Sequence, residues 1–139
     1  MASGVGVSPE CLEAFLELRV ANKHQYIIYK ISMENTQFVV DRTSESKDWD
    51  DFESDLPDNE PCFAVYNFEF EKTDGEGVDR KFIFVSWSPD DAKIKAKMLY
   101  ASCRDLLRRA LPGVGMEIQG TEKSEVAYEY VLEKARRSH

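Results

Sequence analysis

The chain has 139 residues, 42% of them hydrophobic and 32% charged, with a formal net charge of −8. That length suits one domain with a sizeable core, and the acidic balance argues against general nucleic-acid binding. No apolar run of about 18 residues and no basic-then-apolar leader occurs, so neither a membrane span nor a secretory signal is read and a cytoplasmic protein is expected.

Residues 1–7 are small and Gly-containing and read as a flexible arm. Ser8-Pro9-Glu10 then opens a helix through Cys11, Leu12, Phe15, Leu16 and Leu18, with Pro at a first-turn position where its missing N–H does no harm. Tyr26 to Ile31 is rich in β-branched and aromatic residues. Glu34-Asn35-Thr36 turns the chain, and Gln37 to Arg42 pairs back as a hairpin. Trp49, Phe52 and Leu56 recur at spacings of three and four inside an acidic run, which predicts a short amphipathic helix ended by Pro57. Cys62 to Phe70 and Lys81 to Trp87 are the strongest strand signals, joined by the polar turn Thr73 to Gly77 as a second hairpin.

Next comes a long helix, expected from Ser88-Pro89-Asp90 to Leu111 and stopped by Pro112-Gly113. At about 100° per residue, Ala92, Ala96, Leu99, Cys103, Leu106, Leu107 and Ala110 form its buried arc. On the opposite side lie Ile94, Met98 and Ala101, then Asp105, flanked by Lys95, Lys97, Arg104, Arg108 and Arg109. An apolar ridge between cations suits docking of an acidic partner. Met116 to Gln119 is a brief strand, and Thr121 or Ser124 caps a last helix through Val126, Tyr130, Val131 and Leu132. This order implies a central mixed sheet covered by helices.

Charge is polarised along the chain: Lys93 to Arg109 holds six cations against Asp105, whereas Asp41 to Glu60 holds nine acids against Arg42 and Lys47. The three cysteines, Cys11, Cys62 and Cys103, are odd in number and widely spaced, which fits reduced thiols better than a disulfide framework. Asp48-Trp49-Asp50-Asp51 lacks the Gly and the register of a calcium loop, so no metal is expected. His24, placed on the surface after the first helix, and His139 are the only histidines. No nucleophile elbow, zinc motif or Walker loop accompanies them, so neither catalysis nor a cofactor is expected and a binding module remains.

Longer stretches resemble the actin-depolymerising factor/cofilin family: residues 1–5 with Cys11; Asp51-Phe52 with Leu56-Pro57; Ala64 to Phe70; Trp87-Ser88-Pro89-Asp90 with Lys95 to Ser102; Arg108 to Leu111; and Val131-Leu132-Glu133. The resemblance runs from the arm almost to the C-terminus. It implies an α+β fold: a single ADF-homology domain over residues 1–139, with a central mixed five-stranded sheet sandwiched by helices. It also implies a monomer that binds actin monomers and filaments, prefers ADP-actin, and promotes severing and depolymerisation at the cytoplasmic actin cytoskeleton.

By matching position, the contact shared by monomer and filament falls on Ser3, Gly4, Val5, Lys95, Lys97, Met98 and Ser102, beside the Ile94 found from the ridge. The filament-specific contact falls on Arg80, Lys81, Glu133, Lys134 and Arg137. Ser3 matches an inhibitory phosphorylation site, and phosphoinositides, phosphatidylinositol 4,5-bisphosphate among them, are implied competitors. Lys93 stands where the family usually has Pro, and Arg80-Lys81 keeps only part of the family's basic strand pattern. Two alternatives stay open: a mainly monomer-sequestering relative with weak severing, and a phosphoinositide-binding module.

Overall fold

A computed structural model of the chain describes residues 4–73, 75 and 77–137. Six strands, β1 Gly6–Val7, β2 Tyr26–Ile31, β3 Gln37–Ser44, β4 Cys62–Glu71, β5 Val78–Trp87 and β6 Met116–Gly120, form one sheet in the order β1-β3-β2-β4-β5-β6. The outer pairs β1/β3 and β5/β6 are parallel, and the inner pairs antiparallel. The helices are α1 Pro9–Arg19, α2 Trp49–Asp55, α3 Ile94–Ala110 and α4 Tyr128–Arg137, with a 3₁₀ turn at Lys123–Val126.

Strand side chains alternate between faces, and here both faces are covered. Tyr26, Ile28, Ala64, Tyr66, Ile83 and Val85 pack with Trp49, Phe52 and Leu56 of the α2 segment and Val131 and Ala135 of α4. Ile27, Tyr29, Phe63, Val65 and Phe84 pack with Cys11, Phe15 and Leu18 of α1 and with Cys103, Leu107 and Leu111 of the α3 segment. Double coverage explains why β4 is buried almost without interruption from Cys62 to Phe68. All three cysteines are buried and none is in a disulfide.

Several expectations are corrected. The sheet has six strands where five are expected, because Gly6–Val7 of the supposed arm pairs with Gln37–Phe38 and the Gly6 N–H donates to the Thr36 carbonyl at 2.9 Å. Val5 is buried in the α1/α3 layer, so the flexible arm expected over residues 1–7 does not include Val5, Gly6 and Val7. The long helix starts at Ile94, since the Ala92 N–H closes a turn onto the Pro89 carbonyl at 3.0 Å and Lys93 takes the N-cap position in an extended conformation. Leu106, placed on the buried arc, is 37% exposed. The last helix is divided into the 3₁₀ turn and α4, and His24 is half-buried, its Nε2 lying 3.0 Å from Glu17 Oε1.

Candidate functional site

One face of α3 is anchored and the other is bare. Cys103 and Leu107 are buried, and the Tyr100 hydroxyl accepts a hydrogen bond from the Ile31 N–H at 2.9 Å, tying the helix to the end of β2. On the far side Ile94 is 73% and Met98 67% exposed, and Ala101 and Asp105 are exposed as well. Leaving two large apolar side chains in water on one stripe is unfavourable for the isolated chain, as expected of a surface that a partner covers.

The cations around the ridge differ in availability. Lys95 is exposed and has no hydrogen-bond or ion-pair partner among the described residues, whereas Lys97 Nζ donates to the Asp90 carbonyl at 3.0 Å. Ser102 is exposed, but its hydroxyl donates back to the Leu99 carbonyl at 2.8 Å. Gly4 is exposed at φ 74°, a left-handed conformation that suits glycine. Val5 anchors the chain beneath it. Ser3, the expected phosphorylation site, lies outside the described residues. Beside the ridge, a cleft of about 310 Å³ opens between α3 and the ends of β5 and β6, walled by Phe63, Trp87, Lys97 and Tyr100.

The second basic group is brought together only in part. Lys81 points to the α4 face and its Nζ donates to the Ala135 carbonyl at 3.1 Å, which places it beside Glu133, Lys134 and Arg137. Arg80, one residue earlier, points to the opposite face. Its guanidinium donates to Asn22 Oδ1 at 3.0 Å and lies 5.1 Å from the Phe82 ring centroid. Lys134 Nζ donates to the Glu117 carbonyl at 3.0 Å, and Arg137 and Glu133 form an exposed pair at 4.0 Å on one side of α4. Among the described residues no three His, Cys, Asp or Glu side chains gather to hold a metal, and no helix is long and apolar enough to cross a membrane.

A family model described as cofilin/tropomyosin-type actin-binding protein matches residues 4–136. The chain belongs to this family. It is similar to cofilin of Mycosarcoma maydis, with 54% identity over 138 residues that cover 99% of each chain, and to cofilin of Schizosaccharomyces pombe, with 53% identity over 135 residues that cover 97% of each. Among solved structures it is similar to Streptomyces griseoflavus cofilin, at 48% identity and a TM-score of 0.92, covering 98% of this chain and 100% of that one. The mixed sheet between paired helices is the cofilin fold, with β1 as its sixth strand.

Within this cofilin-type fold, the sequence pattern misassigns two of the rim cations. Arg104 and Arg108 are half-buried and both pair with Glu117 on β6, so neither stands free at the ridge. Glu117 itself carries no sequence signal, because its partners lie on another element. Alternation along β5 likewise puts Arg80 and Lys81 on opposite faces, although the resemblance groups them in one contact.

Proposed function

We infer that the chain, as one ADF-homology domain, binds actin monomers and filaments and promotes severing and depolymerisation by binding alone, without catalysis, at the cytoplasmic actin cytoskeleton. The observation that carries this reading is the outward stripe of Ile94 and Met98, 73% and 67% exposed beside the unpartnered Lys95. In a complex the stripe enters an apolar depression on actin while Lys95 and Lys97 meet acidic groups at its rim. Gly4 and Ser102 border the same contact. Ser3 precedes Gly4, so a phosphate there, adding about −1.5 to −2 charge, repels an acidic partner. Phosphoinositide headgroups, attracted by the same cations, compete with actin.

Glu133, Arg137, Lys134 and Lys81 supply the filament-specific contact, from which Arg80 is turned away. A ligand that binds a twisted filament better than an untwisted one shifts the filament towards the twisted form, and breaks follow where decorated and bare segments meet. Preference for ADP-actin belongs to this same reading. One observation favours the sequestering alternative: Lys81 and Lys134 both donate to carbonyls of their own chain, and Arg80 faces away from α4.

Co-sedimentation with ADP-actin filaments tests both, using the unchanged chain and the Lys95→Ala/Lys97→Ala variant. The reading expects the unchanged chain to pellet with filaments and raise soluble actin, with the variant doing neither. Binding to monomers without pelleting supports the sequestering form; binding to neither refutes the reading.

A further inference from the structure

Arg104 and Arg108 stand one turn apart on α3 and share a single carboxylate across the gap to β6. Arg104 Nη2 meets Glu117 Oε1, and Arg108 Nε donates to Oε2 at 3.0 Å. Arg104 is held further by Ser86 Oγ at 3.3 Å and lies 5.7 Å from the Phe84 ring centroid, while Arg108 reaches the Val114 carbonyl at 3.5 Å. The main-chain carbonyl of Glu117 meanwhile accepts Lys134 Nζ from α4, which covers the other face of the sheet. Because β6 is the last strand among the described residues, no further strand there holds its outer edge, and this lysine fixes it instead.

A carboxylate that grips residues i and i+4 from outside a helix resists rotation of that helix about its axis. The direction in which Ile94 and Met98 project depends on that rotation. We propose that Glu117 is a positioning residue for the actin contact, holding α3 so that its ridge faces the partner while Lys134 holds the strand that carries it. The proposal rests on the reading that the ridge binds actin.

Charge alone predicts the opposite sign. Glu117→Gln removes one negative charge from a chain of formal charge −8, so simple attraction to an acidic partner would strengthen binding. Positioning predicts weaker binding, by about fivefold or more. The test measures the Kd for monomeric ADP-actin with the full chain, Glu117→Gln, Arg108→Gln and the double variant, beside each thermal midpoint. Positioning expects Glu117→Gln to weaken binding and the losses from Glu117→Gln and Arg108→Gln to overlap rather than add. Unchanged or tighter binding by Glu117→Gln overturns the proposal and leaves the actin reading intact, as do strictly additive losses. Should Glu117→Gln fail to fold, Arg108→Gln alone decides: an unchanged Kd overturns the proposal, and a loss that persists in high salt supports it. Failure of the unchanged chain to bind actin overturns both.

Discussion

Truncating Met98 separates a side chain kept for a partner from one kept for the fold. Burying a whole methionine side chain stabilises by about 1.5–3 kcal/mol. In the free chain Met98 is 67% exposed, so most of that burial is still available to a complex. With the β-carbon retained, Met98→Ala forfeits roughly 1–1.5 kcal/mol of binding, a five- to tenfold rise in Kd. Folding loses little, because the side chain contributes little to the core. Leu107, on the opposite face of the same helix and 0% exposed, is the counterpart: Leu107→Ala leaves a cavity and costs about 2–5 kcal/mol of stability. Titration against fluorescently labelled actin monomer gives the Kd, and urea unfolding gives the stability. A Met98→Ala variant that loses stability as Leu107→Ala does, or that binds actin as tightly as the unchanged chain, refutes the division of α3 into a partner face and a core face.

Other predictions concern the fold that carries this face. Lys123 Nζ donates to the Glu53 carbonyl and, at 3.1 Å, to the Leu56 carbonyl, with the ammonium 5.2 Å from the Trp87 ring centroid. Lys123→Met therefore leaves carbonyls at the end of α2 without this partner and is expected to lower stability by about 1–2 kcal/mol in urea; no change would show that water replaces the ammonium. Gly113 has φ 103°, and an added β-carbon would lie 2.6 Å from Arg19 Nε, so Gly113→Ala is expected to cost about 1–2 kcal/mol by the same measurement. Burial pushes the Cys62 thiol up to about 12, and burial with the Asp55 hydrogen bond pushes the Tyr26 phenol up to about 12. Both raised groups stabilise the fold fully below their unfolded values of 9.0 and 10.0, and that stability is lost as pH rises towards 12. The urea midpoint should accordingly be flat between about pH 7 and 8 and fall steadily above pH 9; a midpoint that stays level or rises from about pH 9 to 11 contradicts this.

Patterns confined to one element are legible in the sequence. Tyr26 to Ile31 is a strand with the expected bounds, and the Trp49/Phe52/Leu56 spacing marks a helix that buries all three residues. The Ile94/Met98 stripe was visible because a helical period places it opposite Cys103 and Leu107. What escaped depends on contacts between distant segments. Two residues at Gly6–Val7 become a strand only because Gln37–Phe38 lies alongside, and no local propensity announces that. Ser88-Pro89-Asp90 carries the chemistry of a helix cap, yet Pro89 to Ala92 makes a separate turn with Ala92 in the core, which delays α3 until Ile94. Arg104 and Arg108 look like free cations until Glu117 is seen beside them.

Oxidative footprinting of the methionines, with and without monomeric ADP-actin, tests the central claim most directly. Met33 is 98% exposed at the β2–β3 turn and Met98 67% exposed on the ridge, so both react in the free chain. If α3 presents its ridge to actin, Met98 becomes protected while Met33 stays reactive. Protection of Met33 with Met98 still oxidised, or protection of neither under conditions where the complex forms, would contradict it.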